Sequence, residues 1–424
     1  MTETRRVRRL DGPVEGHVSV PGSKSIANRV LVCAALADGV SSISNVPDGD
    51  DTRAMLDCLR TLGLAVDAYV DRVRITGVGT AWANVPRTLF AGLAGTTSRF
   101  ITAVAALGST PLTVDGHPPL RARPFGPLHE ALGQLGVVVT PGESFGNLPA
   151  TITGPPVTGR VEIRGDVSSQ YVTALMLIGP ELPGGLDLAL TTPLVSRPYV
   201  ELTASVMGWF GITDVEVAER RIRVGPAAYT PTETAVEPDA SSASYPLALA
   251  AVCGGSMTVP GLGAGALQGD ARFGDVMAQM GCSLDRDTDQ VTVSGAGDLR
   301  GIDIDMADIS DLVPTVAVVA AFASSPTRIR GVGFIREKES DRLGDLSAEL
   351  RRAGVDIDET DDGLAIRPSA ATLRPARLAT HHDHRLAMAF GVLGSACDGI
   401  EVEDPEVVSK SWPGFWTMLD ELHT

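Results

Sequence analysis

The chain has 424 residues, of which 44% are hydrophobic, 21% are charged and 4% are aromatic. This composition is ordinary for a globular protein, and the length predicts two or more domains that each bury a core. The net charge of −17 argues against nucleic acid as a partner, because a basic surface is missing, although a local cationic pocket could still hold a small anion.

The cysteine pattern and the N-terminal residues indicate a cellular compartment. The five cysteines are scattered and follow neither metal-ligand nor disulfide spacing, which predicts a reducing environment and no metal site. The N-terminal residues MTETRRVRRL lack the apolar core of a secretory signal. No apolar run approaches the roughly 18 residues of a membrane span without glycine or proline. We therefore expect a cytoplasmic protein.

Six polar turns recur along the chain, and each one precedes an apolar helix. Their marker residues are separated by 73, 71, 73, 70 and 72 positions: Ser25, Ser98, Ser169, Ser242, Leu312 and His384. Because these helices are apolar on all faces, we predict that each one is fully enclosed. A regular period of this kind is the mark of a repeat architecture.

A second series of helices runs in step with the first. Five amphipathic segments each stop at a glycine before a short β-prone run: Gly63, Gly136, Gly211, Gly281 and Gly354. Glycine suits the position after a helix because it adopts positive φ without a steric penalty. A sixth such helix over 415–422 has no strand after it, and we expect residues 5–10 to supply the missing strand.

The two series predict a unit made of turn, enclosed helix, strands, amphipathic helix and strand. Six units divide most simply into three and three, with chain crossings at 226–238 and 14–21. This gives one domain over 20–232 and a second domain from 1–19 plus 233–424. The alternative is one long α/β domain with accidental spacing. If the two halves face each other with the helix N-termini inward, the cleft between them favours a multiply anionic ligand.

The segment PGSKSIANR, residues 21–29, is a candidate anion site. It places two hydroxyls, the Lys24 ammonium and the Arg29 guanidinium near a helix N-terminus. Only three of the 35 basic residues are lysines, namely Lys24, Lys338 and Lys410. Lysine differs from arginine as a compact charge with a tunable pKa, so its retention here suggests a chemical role. The alternative interpretation is a serine N-cap beside a solvated lysine.

Ten motifs occur in order over nearly the whole chain. They are PGSKSIANR (21–29), AGTTSRF (94–100), RARPFGPL (121–128), GDVSSQY (165–171), SRPY (196–199), DASSASY (239–245), DISD (308–311), REKESDRL (336–343), DHRLAMAF (383–390) and VSKSWPGFW (408–416). Together they resemble the 5-enolpyruvylshikimate-3-phosphate (EPSP) synthase family of enolpyruvyl transferases, also called 3-phosphoshikimate 1-carboxyvinyltransferases.

The resemblance implies an α/β fold of two similar domains. Each domain holds three βαβαββ-like units with enclosed helices, an inside-out α/β barrel, and the active site lies in the inter-domain cleft. The implied reaction transfers the enolpyruvyl group of phosphoenolpyruvate to the 5-hydroxyl of shikimate 3-phosphate and releases phosphate, in aromatic amino acid (chorismate) biosynthesis. The resemblance also implies no metal or organic cofactor, a monomer, and inhibition by glyphosate.

The resemblance assigns two sets of substrate-binding residues. Contacts to shikimate 3-phosphate are implied for Lys24, Ser25, Arg29, Ser168, Ser169, Gln170, Ser196, Tyr199, Asp311 and Lys338. Contacts to phosphoenolpyruvate are implied for Lys24, Gly95, Arg123, Gln170, Arg342, Arg385 and Lys410. Asp311 is the candidate base for the hydroxyl, and Glu339 and Lys24 are candidates for proton delivery and return.

Three positions depart from the family pattern, and two related activities stay open. Leu93 and Phe334 stand where relatives often have Asn, and Arg197 stands where they often have Lys, which puts single contacts in doubt.

The nearest alternative is UDP-N-acetylglucosamine enolpyruvyl transferase, but the loop over 115–123 lacks the reactive cysteine usual in that family. The other alternative is a non-catalytic relative of the RNA-processing type, which the negative charge disfavours.

Simpler interpretations exist for several candidate residues. Asp311 could be a helix N-cap. Glu339 and Arg342 could be an i,i+3 ion pair on a helix surface. The run HHDH at 381–384 could be a metal cluster, although adjacent residues in a turn rarely present tetrahedral ligand geometry.

Overall fold

The computed structural model describes residues 3–70, 72–82, 85–295 and 297–422. The α-helices within these ranges are α1 (Lys24–Leu36), α2 (Asp50–Leu62), α3 (Gly95–Ala105), α4 (Pro118–Arg121), α5 (Gly126–Gln134), α6 (Ser169–Ile178), α7 (Arg197–Trp209), α8 (Ala240–Cys253), α9 (Phe273–Gln279), α10 (Val313–Ala321), α11 (Gly344–Arg352), α12 (His384–Ala396) and α13 (Phe415–Glu421). Within the same ranges, no helix is both long and apolar enough to cross a membrane.

Short strands alternate with these helices. They are β1 (Thr4–Arg6), β2 (Val14–His17), β3 (Asp38–Ser44), β4 (Ala65–Ala68), β5 (Arg72–Val78), β6 (Arg87–Phe90), β7 (Leu112–Asp115), β8 (Val138–Pro141), β9 (Ala150–Thr153), β10 (Arg160–Ile163), β11 (Leu186–Leu190), β12 (Val215–Val217), β13 (Arg221–Val224), β14 (Glu233–Ala235), β15 (Gly255–Pro260), β16 (Ser283–Arg286), β17 (Gln290–Gly295), β18 (Asp303–Asp305), β19 (Thr327–Arg330), β20 (Ile357–Thr360), β21 (Gly363–Ile366), β22 (Ala376–Leu378) and β23 (Ile400–Glu403).

The chain forms two compact units. The N-terminal unit is Gly22–Val236, and the C-terminal unit is Met1–Pro21 together with Glu237–Thr424. The sheets of the N-terminal unit have the strand orders β14-β3-β5-β4, β6-β7-β9-β8 and β10-β11-β13-β12. Those of the C-terminal unit have the orders β16-β17-β15-β2, β18-β19-β21-β20 and β1-β23-β22. Six small mixed sheets confirm the predicted series of repeated α/β units.

Each four-stranded sheet uses the same pairing scheme. One parallel pair is followed by two antiparallel pairs, as in β14 with β3, β3 with β5, and β5 with β4. The sixth sheet has three strands among the residues described, and β1 is its antiparallel member, with Arg5 opposite Val402. This pairing confirms the prediction that the N-terminal segment completes the last repeat.

The two predicted crossing segments contain strands that the sequence analysis missed. Strand β14 pairs in parallel with β3 of the first repeat, and β2 pairs in parallel with β15 of the fourth repeat. Both strands are only three or four residues long and lie in Pro- or Gly-containing sequence, so their periodicity was too short to detect.

The helices fall into the two predicted classes. Helices α1, α3, α6, α8, α10 and α12 are buried along nearly their whole length, whereas α2, α5, α7, α9, α11 and α13 carry exposed faces. The glycines predicted to end the amphipathic helices all have positive φ: Gly63 (101°), Gly136 (89°), Gly211 (86°), Gly281 (107°) and Gly354 (90°). Polar residues lie at or just before the starts of α1, α6 and α12, and several of them are predicted site residues.

Close backbone packing requires glycine in or directly after the strand that pairs antiparallel with the inner parallel strand of a sheet, namely β5, β9 and β17. A Cβ atom on Gly77 in β5 would lie 2.2 Å from the carbonyl oxygens of Ala34 and Ala37, at the end of α1. At Gly154 and Gly295, an added Cβ would likewise meet a carbonyl oxygen at the end of the enclosed helix of their own repeat, at 1.7 and 2.2 Å. Three repeats therefore share one steric constraint.

We predict that Gly77→Ala lowers the free energy of unfolding by about 1–3 kcal/mol, because backbone on both sides must move to admit the methyl group. The matched control is Gly208→Ala in α7, where no atom lies within 4 Å of the added Cβ. That change should raise stability by roughly 0.5–1 kcal/mol through helix propensity. Urea denaturation measures both changes, and equal midpoints for the two variants would contradict the packing argument.

Candidate active site

Arg342 is the centre of a buried charge cluster in the C-terminal unit. Its side chain is 1% exposed. Its Nε donates to Asp383 Oδ2 at 2.6 Å, its Nη1 to Asp311 Oδ1 at 2.8 Å and its Nη2 to Glu339 Oε2 at 2.6 Å. One planar guanidinium therefore orients three carboxylates that come from three separate segments.

Two further cations complete this cluster. Arg385, in the first turn of α12, donates from Nη2 to Asp311 Oδ2 at 2.7 Å. Lys410, at the end of the 3₁₀ helix Pro405–Lys410, has its Nζ 3.3 Å from Glu339 Oε1. The structure thus brings together five predicted site residues: Asp311, Glu339, Arg342, Arg385 and Lys410.

One simpler interpretation of these residues is wrong, and the other is only partly right. Asp311 is not a helix N-cap, because it lies within the 3₁₀ turn Ser310–Leu312 and both of its carboxylate oxygens accept from arginines. Glu339 and Arg342 do form an i,i+3 ion pair, but their side chains are only 12% and 1% exposed, so the pair does not lie on a helix surface.

The cluster fixes the ionisation of Asp311. Burial alone would raise the pKa of this carboxyl, but the cations of Arg385, Lys338 and Arg342 outweigh burial and hold the pKa well below its usual range. For Arg342, burial opposes the charged form, but Asp383, Glu339 and Asp311 raise the pKa of its guanidinium above its ordinary value. Asp311 and Arg342 are therefore both charged at neutral pH.

Lys338 has an aromatic neighbour at one position that departs from the family pattern. Its Nζ lies 5.8 Å from the centroid of the Phe334 ring, a cation–π distance. The phenyl ring thus supports this ammonium where an amide side chain would otherwise be expected.

In the N-terminal unit, Lys24 forms a buried ion pair that the sequence analysis did not predict. Ser23 is the N-cap of α1, and Lys24 is the first residue of the helix. The Lys24 Nζ lies 3.0 Å from Asp51 Oδ2, with side chains 14% and 3% exposed. Lys24 is therefore not a solvated lysine, and Asp51, in the first turn of α2, is its counter-ion.

Arg29 is buried among uncharged oxygen atoms. It donates to the hydroxyls of Thr203 and Thr173 and to the carbonyl oxygens of Ser25 and Tyr199. Burial lowers the pKa of its guanidinium to about 10, which still leaves the group cationic at neutral pH. A buried cation that donates to neutral acceptors favours an anionic ligand.

Gln170 is oriented by a second buried arginine that the sequence analysis also missed. Arg99 donates from Nη1 to Gln170 Oε1 at 2.5 Å, and Gln170 Nε2 donates to Thr96 Oγ1 at 3.1 Å. The Arg99 guanidinium lies over the rings of Phe125 and Tyr171, at 5.2 and 5.3 Å. A charged residue inside an apolar, enclosed helix was the available sequence signal.

Gly95 is the position where Arg123 approaches the backbone of α3. A Cβ atom added at Gly95 would lie 2.4 Å from Arg123 Nη1 and 3.0 Å from Arg99 Nη1. A side chain at this position would require the guanidinium groups to shift, so glycine permits their close approach.

The predicted serine and tyrosine contacts lie at helix starts of the same unit. Ser168 is the N-cap of α6, and its Oγ accepts from the Gln170 amide at 3.3 Å. Ser169 follows it as the first residue of α6. Ser196 precedes α7 with φ of 52°, an uncommon conformation for a residue with a side chain. The Tyr199 ring lies 5.9 Å from the Arg29 guanidinium carbon.

The histidine-rich turn does not form a ligand cluster. His381 Nε2 contacts Glu349 Oε1 at 2.9 Å, and His382 Nδ1 contacts Asp404 Oδ2 at 3.2 Å. These side chains therefore have separate partners. Over the ranges that the structure covers, no group of three or more His, Cys, Asp or Glu side chains could hold a metal ion.

We predict that Arg342→Ala lowers the free energy of unfolding by about 3–5 kcal/mol, because it leaves buried carboxylates without their shared cation. The control is Arg367→Ala, which removes an arginine 48% exposed and paired with Asp356 and Asp358. That change should cost about 0–1 kcal/mol. Chemical denaturation at pH 7.5 compares the two variants, and a similar small loss for both would refute the central role of Arg342.

Known proteins resemble the chain over its whole length. The family model for EPSP synthase (3-phosphoshikimate 1-carboxyvinyltransferase) matches residues 9–419. The 3-phosphoshikimate 1-carboxyvinyltransferase of a Nostoc species is 39% identical, covering 99% of both chains. The enzyme of the same name from Syntrophobacter fumaroxidans is 39% identical, covering 98% of this chain and all of its own.

Solved structures share the fold. EPSP synthase from Acinetobacter baumannii superposes with a TM-score of 0.84 at 24% identity, covering 99% of this chain and 98% of its own. The enolpyruvyl transferase NikO from Streptomyces tendae gives a TM-score of 0.78 at 19% identity, covering 100% of this chain and 98% of its own. Enolpyruvyl transferases with different names thus share this fold, so the fold alone does not identify the acceptor substrate.

Proposed function

The chain belongs to the EPSP synthase family, and we infer that it transfers the enolpyruvyl group of phosphoenolpyruvate to the 5-hydroxyl of shikimate 3-phosphate, with release of phosphate. This reaction is a step in aromatic amino acid biosynthesis. One observation of the molecule supports the inference most directly. The buried cluster around Arg342 combines carboxylates suited to acid–base chemistry with cations suited to an anionic substrate.

We propose that the cationic residues bind the two anionic substrates. Phosphoenolpyruvate would contact Lys24, Gly95, Arg123, Gln170, Arg342, Arg385 and Lys410. Shikimate 3-phosphate would contact Lys24, Ser25, Arg29, Ser168, Ser169, Gln170, Ser196, Tyr199, Asp311 and Lys338. The buried charge of Arg29 and the forked guanidinium groups of Arg342 and Arg385 support these assignments.

The reaction requires that a proton move to and from carbon. As the 5-hydroxyl oxygen bonds to C2 of the donor, C3 takes up a proton, and a tetrahedral intermediate forms that carries the phosphate. In the second step C3 loses a proton, the C2–O bond to phosphate breaks, and the enol ether double bond is restored. We propose Asp311 as the acceptor of the hydroxyl proton, and Glu339 with Lys24 for the proton at C3.

Substrate binding would make Asp311 a stronger base. In the free protein both of its oxygens are held by arginines, which keeps its pKa low and its affinity for a proton weak. An anionic donor that contacts Arg342 and Arg385 adds negative charge beside Asp311 and competes for the same guanidinium groups. Both effects raise the pKa of Asp311, so binding of the donor would activate the base when the acceptor is in place.

Two cations flank and orient the carboxylate of Glu339, the group proposed for proton exchange at C3. Arg342 Nη2 holds Oε2 at 2.6 Å, and Lys410 Nζ lies 3.3 Å from Oε1. The guanidinium fixes the orientation of the carboxyl group. The ammonium can approach or leave as charge develops on the substrate, and unlike a guanidinium it can also release a proton.

Four further assignments are also proposals. The inside-out barrel arrangement of the repeats, the cleft location of the site and the monomeric state follow from the family resemblance. A cytoplasmic location is supported by the five cysteines, which are not paired in disulfide bonds.

Phosphate release in the presence of phosphoenolpyruvate tests the choice of acceptor. We expect turnover with shikimate 3-phosphate and none with UDP-N-acetylglucosamine, and we expect glyphosate to inhibit in competition with phosphoenolpyruvate. Heat-denatured protein with the same substrates is the control for spontaneous hydrolysis. Turnover with the UDP-sugar alone, or with neither acceptor, would overturn the proposed function.

We predict that Lys24→Arg lowers kcat by about 10²–10⁴-fold, because a guanidinium keeps the positive charge but cannot release a proton at neutral pH. Its melting temperature should stay within a few degrees of wild type. The control is Arg53→Lys, on the exposed side of α2, where the arginine side chain is 53% exposed. Steady-state kinetics and thermal unfolding are measured for both. A near-normal kcat for Lys24→Arg would exclude a proton-transfer role for Lys24.

A further inference from the structure

A buried carboxylate in the C-terminal unit lies outside the residue sets proposed above. Asp270 is 3% exposed and lies in the 3₁₀ turn Gly269–Arg272. Its Oδ2 accepts the hydroxyl hydrogen of Ser241, which belongs to the first turn of α8 and is 4% exposed. Burial of a carboxylate costs free energy unless nearby charges and hydrogen bonds compensate for the lost hydration. The buried position of Asp270 therefore requires a physical explanation.

The preceding residue attaches this turn to the start of α8. Gln268 Oε1 accepts from the Ala240 amide at 3.1 Å, while its Nε2 donates to Glu237 Oε2 at 2.7 Å and to the Pro238 carbonyl at 2.6 Å. The side chain of Gln268 therefore holds two backbone segments together. As a result, Asp270 is presented to Ser241 in a fixed position.

Ser241 links Asp270 to the predicted donor site. Arg385 Nη2 donates to Ser241 Oγ at 3.4 Å, and the same nitrogen donates to Asp311 Oδ2 at 2.7 Å. A serine hydroxyl has one hydrogen and two lone pairs. Because Asp270 takes the hydrogen, the lone pairs of Ser241 are available to Arg385. The direction of one hydrogen bond thus determines whether Ser241 can hold the guanidinium.

We propose that Asp270 is a positioning residue for Arg385, acting through Ser241 to hold the guanidinium between Asp311 and the bound phosphoenolpyruvate. The proposal rests on the proposed function, since it assigns Arg385 to the donor. Asp270 itself would not touch the substrate. Its effect would be a guanidinium whose orientation is set before the donor arrives, which lowers the entropic cost of binding.

The charges around Asp270 add a dependence on pH. The groups that face it are Asp311, Arg385, Ser241 and Asp239. Burial, together with the charge of Asp311, raises the pKa of Asp270 to about 6, while Arg385 and the Ser241 hydrogen bond act in the opposite direction. The carboxyl is thus anionic at pH 8 and partly protonated near pH 6. Protonation removes a negative charge from the neighbourhood of Arg385, so an anionic donor should bind more tightly at the lower pH.

Three variants test the proposal by kinetics with phosphoenolpyruvate and shikimate 3-phosphate. Ser241→Ala removes the link, and we expect KM for phosphoenolpyruvate to rise about tenfold while kcat changes by less than about threefold. Asp270→Asn keeps an oxygen that can accept from Ser241 but removes the charge. We expect its KM at pH 8 to fall below the wild-type value. Asp275→Asn is the control. It removes a half-exposed carboxylate on α9 that is paired with Arg286, and it should match wild type.

The pH profile separates positioning from a general structural role. Between pH 6 and 8, the ratio of the wild-type KM for phosphoenolpyruvate to that of Asp270→Asn should rise with pH, because only the wild type gains the negative charge. Titration of the donor phosphate affects both proteins equally and cancels in this ratio. A constant ratio would overturn the proposal. An unchanged KM in Ser241→Ala, or an equal rise in the KM values of both substrates with a lower melting temperature, would also overturn it.

A binding measurement keeps this test distinct from the test of the proposed function. If wild-type protein releases no phosphate, the proposed function fails, but isothermal titration calorimetry with phosphoenolpyruvate still compares the variants. Weaker binding by Ser241→Ala with unchanged binding by Asp275→Asn would then support the positioning role. Equal affinities for wild type and Ser241→Ala would refute it.

Discussion

The contacts of Arg342 with three carboxylates are the interaction on which the C-terminal site depends. A buried ion pair is costly because both partners lose hydration, and the cost is recovered only when every donor and acceptor is satisfied. The guanidinium is planar and presents donors in a fixed fork, so Asp311, Glu339 and Asp383 must take up one relative geometry to satisfy it. The same contacts that make the cluster stable therefore arrange its acid–base groups, and neither property can be altered alone.

The two units balance charge differently, and this difference follows from where their cations lie. In the C-terminal unit each cation of the cluster has a carboxylate partner, so the site is close to neutral before a ligand arrives. In the N-terminal unit Lys24 is paired with Asp51, whereas Arg29 donates hydrogen bonds to neutral oxygens. An anion near Arg29 restores neutrality in a low-dielectric environment, whereas an anion near Arg385 must compete with Asp311.

The sequence carried enough periodic signal to predict the architecture. Glycine stops and apolar helix runs recur in each repeat, so the six units, the enclosed helices and the role of the N-terminal strand were predictable. Strands β2 and β14 were not, because a strand of three or four residues has no measurable period. The family resemblance identified Arg342 and Asp311 as site residues. It did not identify Asp51, Arg99 or Asp270. Their roles come from side-chain packing between segments distant in sequence, which spacing along one segment cannot reveal.

The pairing of the N-terminal strands has a consequence for vectorial synthesis on the ribosome. Residues of β1 and β2 are made before their sheet partners β23 and β15, which lie hundreds of residues later in the chain. The Gly22–Val236 unit, which includes β14, is complete once its last strand has emerged. The segment with β1 and β2 thus leaves the exit tunnel long before its partner strands and is among the last to pair. Before β1 pairs, the arginine-rich stretch over residues 5–9 exposes few hydrophobic groups. This composition lowers the tendency of the unpaired segment to aggregate.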